Sequence, residues 1–144
     1  MLVEELMSTD VVTVELDATL AEAVERQLSA GVGSVVVLDD GNPCGIVTEH
    51  DALGAALRTG RPLDEIPVAK LAHGTVVTTQ PGTTVQTVAR RMAEEKVKKV
   101  PVIDGIDLVG IVTLTDIVRH LSDIRNEASE IDAARDRWES AGEF

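Results

Sequence analysis

The heptapeptide GIVTEHD at 45–51 returns as GIVTLTD at 110–116, 65 positions later. The same offset, without a gap, places Leu6, Val11, Val12 and Thr13 on Leu71, Val76, Val77 and Thr78, and Val35, Val37 and Asp39 on Val100, Val102 and Asp104. A register held over that length marks a duplicated structural unit. Two copies make a tandem pair and not a solenoid. In a chain of 144 residues, each copy is too small to bury its apolar face alone, so the halves are expected to pack on each other about a pseudo-two-fold axis.

Each copy carries the same punctuation. In the first, VVTV (11–14) is β-branched and strand-like, and Asp17 offers an N-cap to a helix whose Leu20, Ala23, Val24, Gln27 and Leu28 follow helical spacing. SVVVL (34–38) reads as a buried strand, followed by a turn at Asp39–Asn42 and a second run, CGIV (44–47). Thr48 then caps a helix through Leu57 that Gly60 and Pro62 stop. The second copy predicts a strand at 75–78, a helix from Thr84 to Glu94, strands at 99–103 and 109–112, and a helix from Thr113. The fold class is therefore α/β (α+β), with the order β-α-β-β-α written twice. The first repeat spans 1–60, a stiff proline-bounded connection 61–67, and the second repeat 68–121. Beyond it, 122–144 is expected to be an acidic amphipathic helix, with Ile124, Ala128, Ile131, Ala134 and Trp138 as its apolar stripe against the body or a partner subunit.

Composition narrows the function. Thirteen basic residues against 25 acidic give a net charge of −12, a surface that repels phosphate backbones, so nucleic acid is not an expected partner. Trp138 and Phe144 are the only aromatics, which leaves the core to Val, Leu, Ile and Ala and offers no stacking platform for single strands. No apolar run approaches the roughly 20 residues of a membrane span, and MLVEEL has acids where a signal peptide has bases. No membrane partner and a cytoplasmic location are expected. The single cysteine, Cys44, reads as a small strand residue. His50, His73 and His120 make no pair at metal-ligand spacing, and no nucleophile or phosphate-loop motif occurs, so neither a metal nor catalysis is expected.

The doubled Gly-Ile-Val-Thr-x-x-Asp remains. A strand runs straight into a helix, with a Thr at the junction and an Asp one turn later beside the open N–H groups of the helix N-terminus. Such a junction can hold a diol on the carboxylate and an anion on the hydroxyl and N–H groups. It is equally an ordinary capped helix. Lys98 and Lys99, two of four lysines, stand before the strand of the second copy, where the first has Gly33 and Ser34. Any two pockets built on these elements are chemically unequal.

These segments, VEELMSTDVVTV, GVGSVVVLDDGNPCGIVTEHD, VPVAKLAHGTVVTT and KVKKVPVIDGIDLVGIVTLTD, resemble the CBS (cystathionine β-synthase) domain family, specifically a stand-alone tandem pair or Bateman module, over residues 1–121. The resemblance implies a non-enzymatic regulatory module that needs no cofactor, commonly dimerises, and binds an adenine nucleotide or other adenosyl compound in clefts between the repeats. One cleft would take Thr113, Thr115 and Asp116 with Ser8, Val32, Gly33 and Ser34, and Lys98 would reach its phosphate. The other would take Thr48, His50 and Asp51 with His73, Val97, Lys98 and Lys99. Asp116 and Asp51 would hold ribose hydroxyls, and adenine would lie near Val12 or Val77. The Asp116 cleft is the favoured one. The competing expectation is a structural dimerisation or interaction module with empty clefts, serving an unknown target protein.

Overall fold

The computed structural model describes residues 1–72, 76–127 and 130–131. The chain opens with a short helix α1 (Val3–Leu6), then β1 (Thr13–Glu15), α2 (Leu20–Ala30), β2 (Ser34–Asp39), β3 (Asn42–Thr48) and α3 (Glu49–Thr59). Two 3-10 turns, Leu63–Glu65 and Val68–Lys70, lead to α4 (Val85–Glu95), β4 (Lys99–Asp104), β5 (Asp107–Thr113) and α5 (Leu114–Arg119). β1 pairs parallel with β2, and β2 pairs antiparallel with β3. β4 and β5 form the matching hairpin.

The repeat is reproduced pair by pair. Ser34 faces Thr48 as Lys99 faces Thr113, and the register slips by one residue at Val37/Leu38 and again at Val102/Ile103. Thr13 faces Val36, and the bridge between Thr79 and Val102 continues that parallel pairing in the second half. The strand expected at 75–78 is reduced to this one bridge among the described residues. Residue 79 is a threonine where the first half has Val14, so the segment lacks the β-branched apolar residue that anchors β1 in its core.

Helix caps also follow the duplication. Thr19, and not Asp17, caps α2, its hydroxyl accepting from the Glu22 N–H at 3.3 Å, and Thr84 caps α4 in the same way. Asp17 lies two residues too early to reach the third helical N–H. At the other end, Gly31 terminates α2 in the left-handed region at φ 65°, but Lys96 occupies the equivalent place after α4 at φ 56°. A side chain is unfavourable in that conformation. Lys96→Gly is expected to raise stability by about 1 kcal/mol, measured as an increased urea midpoint at unchanged slope.

Two valine-rich cores lie side by side, and the lead-in segments are exchanged between them. Val3 and Leu6 pack with Val85, Val88, Met92, Val100, Val102 and Val112 of the second half. Ile66 at the end of the connection and Val68 at the start of the second repeat pack with Val14, Leu20, Val35, Val37 and Val47 of the first. The exchange is reciprocal: Leu2 bridges Thr84 and its counterpart Pro67 bridges Thr19. Each half thus lacks part of its core without the other, which ties the two halves together. Leu28, expected on the buried stripe of α2, is instead 73% exposed. In the 121–127 helical segment Ile124 packs against the second core, but Ile131 of the expected stripe is 67% exposed; Ala128, Ala134 and Trp138 lie outside the described residues. Among the described residues no helix is long and apolar enough to cross a membrane.

Candidate functional site

The site begins with the two strand-to-helix junctions. Asp116 N–H donates to Thr113 Oγ1 at 3.1 Å while Thr113 N–H donates to Asp116 Oδ2 at 3.1 Å, a reciprocal capping box. Thr48 and Asp51 repeat it, at 2.9 and 3.1 Å. One carboxylate oxygen of each aspartate is therefore engaged in holding the junction. The other, Oδ1 of Asp116, is left with Arg119 at 3.9 Å, and the side chain remains 17% exposed.

The glycine of each motif has its own cause. A Cβ on Gly110 would come within 2.6 Å of Met7 Sδ and 2.9 Å of the Ser8 carbonyl oxygen; one on Gly45 would come within 2.7 Å of Ala72 Cβ. Met7 and Ala72 are the equivalent residues of the two lead-ins, so the glycine is where the exchanged segment crosses the strand. Ser8 is fixed there by two backbone bonds of 2.9 Å with Ile111.

That crossing creates a cleft. Ser8, Asp10, Val11 and Val12 from the first lead-in, Gly31 to Ser34 and Val36 before and within β2, and Lys99, Ile111, Thr113, Thr115, Asp116 and Arg119 from the second half enclose about 510 Å³. This volume lies in the range of small-molecule and cofactor sites. Its charges are balanced, Lys99 and Arg119 against Asp10 and Asp116, in a chain whose net charge is −12. The floor is aliphatic and the rim carries hydroxyls, backbone groups at a helix N-terminus, one carboxylate oxygen and two cations. Such a set suits a molecule with a flat apolar part, vicinal hydroxyls and a charged tail.

The structure brings together Ser8, Val12, Val32, Gly33, Ser34, Thr113, Thr115 and Asp116 in this one cavity. Lys98, expected to reach a phosphate here, does not line it; side chains alternate along a strand, and Lys99 at the start of β4 takes the inward direction, its ammonium lying 3.8 Å from where a Cβ on Gly33 would stand. Arg119 was not legible from the doubled motif, because Gly54 replaces it in the first half, but its position one turn past Asp116 was a usable signal. Thr48, His50 and Asp51 line neither this cleft nor any of four further cavities among the described residues, and His73 of the same expected set lies outside the described residues. Val77 and Val97 pack on the second core, and His50 and Lys98 are exposed. Cys44 sits on β3 outside the cleft, and burial, then the charge of Asp39, pushes its thiol above the ordinary value. Among the described residues no three His, Cys, Asp or Glu side chains could share a metal ion.

A duplicated α+β module with a ligand-sized cleft at the crossing of its halves defines the class. The CBS-domain family model matches residues 3–58 and again 68–123, and the chain belongs to that family. It is 28% identical over 127 residues to the CBS domain-containing protein YhcV of Bacillus subtilis, covering 88% of this chain and 89% of that one. Three archaeal relatives are longer, and this chain spans 33%, 61% and 42% of them. Among solved structures, the CBS domain pair of MJ0100 in complex with 5′-methylthioadenosine and S-adenosyl-L-methionine superposes with a TM-score of 0.74 at 26% identity, covering 85% of this chain and 97% of that one. A hexameric CBS-CP12 protein from bloom-forming cyanobacteria gives 0.77 at 28% identity, covering 97% and 85%. CBS-pair proteins are in general regulatory modules without catalysis of their own.

Proposed function

We propose that this protein is a non-enzymatic sensor that binds an adenosine-containing ligand, of the AMP, ADP, ATP, NAD or S-adenosylmethionine class, in the Asp116 cleft. The observation that carries the proposal is the single cavity in which both halves meet around Thr113 and Asp116. Asp116 Oδ1 accepts the ribose hydroxyls, the Thr113 and Thr115 hydroxyls with Lys99 and Arg119 receive the charged tail, and adenine lies on Val12, Val32 and Ile111. The complex of the MJ0100 pair with two adenosyl compounds supports this ligand class. Because the cleft is walled by both halves, occupancy favours one angle between them, and binding shifts that equilibrium by its difference in affinity for the two arrangements. A ligand of this class at 100 times its dissociation constant adds about 2.7 kcal/mol to stability. Thermal unfolding against AMP, ADP, ATP, NAD and S-adenosylmethionine tests the reading: a raised Tm with at least one is expected, and no change with any opposes it.

The proposed protein acts in the cytoplasm as a homodimer. Leu28, Leu53 and Leu57 on α2 and α3 are 73%, 73% and 86% exposed, beside an apolar groove lined by Val24, Ala52, Ala56 and Leu63. Contiguous apolar surface of this kind favours association. Leu53→Glu is expected to convert a dimer to a monomer in light scattering, with the fold retained; an unchanged mass places the interface elsewhere. These same faces favour a second reading, an interaction module whose clefts stay empty. The thermal-shift panel separates the two.

A further inference from the structure

At the opposite end of β4 from the cleft lies a cavity of about 540 Å³ lined by Thr78, Thr79, Gln80, Thr83, Thr87, Val88, Arg91, Ile103 and Gly105. Thr79 is only 7% exposed. Its backbone is fully paired, N–H to the Pro101 carbonyl at 3.0 Å and carbonyl to the Ile103 N–H at 2.8 Å, but its hydroxyl makes no hydrogen bond among the described residues. No buried side-chain oxygen among the described residues lacks both a partner and solvent access, so this hydroxyl opens on the cavity it lines. A hydroxyl held this deep without a protein partner is costly unless something else bonds to it.

The duplication shows what is particular to this end: Arg91 has a counterpart in Arg26, which bonds the Thr13 carbonyl in the same way, but the residues around the two differ. At the corresponding end the first half has Val14 for Thr79, Ala18 for Thr83, Glu15 for Gln80, Glu22 for Thr87 and Asp40 for Gly105. Its own cavity there, about 430 Å³, is bordered by Glu15, Asp17, Asp39 and Asp40. The second half carries no carboxylate in its lining, although acids outnumber bases 25 to 13 in the chain. Arg91 is fixed by one donor, NH1 to the Thr78 carbonyl at 2.8 Å, and no described carboxylate lies within ion-pair distance of it. Four of its five N–H groups stay available to an oxyanion.

We propose that this cavity is a binding site, separate from the adenosyl cleft, for a small molecule with a phosphate group and a hydroxylated body. The phosphate faces the Arg91 guanidinium, which projects from α4 beside the Thr78 carbonyl. The space exceeds a bare phosphate, and the Thr79 and Thr83 hydroxyls with the Gln80 amide match hydroxyl groups better than an apolar body.

Inorganic phosphate is the probe, titrated into 15N-labelled full-length protein at constant ionic strength. Saturable amide shifts are expected at Thr78–Gln80, Thr83, Thr87 and Arg91. Arg91→Gln is expected to weaken the affinity at least tenfold. Thr79→Val installs the residue the first half already carries, so the fold is kept, and it is expected to weaken affinity at least threefold for glycerol 3-phosphate, used as a second probe because it carries hydroxyls beside the phosphate. Linear shifts without saturation, shifts confined to Ser34, Thr113 and Thr115 of the other cleft, or unchanged affinity in either variant overturn the proposal.

Discussion

Asp116→Asn is expected to lower affinity for the adenosyl ligand by on the order of 100-fold while leaving the protein nearly as stable as before. The two consequences separate because the carboxylate does two jobs with two oxygens. Oδ2 accepts the Thr113 N–H and completes the capping box. The asparagine carbonyl can keep that bond, and Asn is close to Asp as a helix-terminus residue, so stability should change by less than about 1 kcal/mol. In the proposed complex the ribose hydroxyls need the other oxygen. In the asparagine that position is an NH₂ donor, and a charge-assisted acceptor pair worth about 3 kcal/mol is lost. Asp116→Ala would remove both functions at once and cannot tell a cap from a ligand contact. Titration calorimetry together with urea unfolding of the Asn variant makes the distinction; affinity retained with stability lost would identify Asp116 as a cap only.

Gly110→Ala is expected to cost about 2–3 kcal/mol and to lower Tm by about 10 °C, from a single added methyl group. The methyl would meet Met7 Sδ at 2.6 Å, Met7 Cγ at 3.0 Å and the Ser8 carbonyl at 2.9 Å. Met7 can swing aside, but the Ser8 carbonyl accepts the Ile111 N–H and cannot retreat without breaking that bond. The first lead-in would lift from β5, taking Val3 and Leu6 partly out of the second core and moving Ser8 at the wall of the cleft. Ligand affinity should therefore fall with stability. Gly82→Ala, with open space around its Cβ, serves as the control and should leave the Tm within a few degrees. A Tm for Gly110→Ala equal to the control would show that the lead-in does not cross the strand as described.

Much of this architecture was readable from residues alone. The gapless offset dictated two equivalent hairpins, and the bulge at Val37/Leu38 recurs at Val102/Ile103 because the underlying pattern does. Thr48 and Thr113 announced their caps by spacing. The exchange of lead-ins was not readable. Val3 and Leu6 have the same apolar spacing whether they pack on their own half or on the other, and a repeat aligned with itself is indifferent to that choice. Thr19 was passed over for Asp17 because both are good capping residues and only the helix start decides between them. The cleft was legible as far as the doubled motif extends. Lys99 in place of Lys98 follows from the direction of side chains along β4, and Arg119 belongs to one copy only, so self-comparison does not reveal it.

The duplication also explains why two similar junctions need not give two similar sites. Gly45, Thr48 and Asp51 have full structural reasons, the crossing of Ala72 and a capping box, without reference to any ligand. On the Asp116 side the same framework is joined by Lys99 and Arg119 and encloses space. Under the proposed function, each chain takes one adenosyl ligand, at the crossing where Ser8 meets Ile111. The most direct measurement is the stoichiometry of binding by isothermal titration calorimetry, using whichever adenosyl compound raises the Tm. One molecule per chain, with Asp51→Asn binding as the unaltered protein does and Asp116→Asn losing the signal, is the predicted result. Heat that vanishes with Asp51→Asn and survives Asp116→Asn would contradict it.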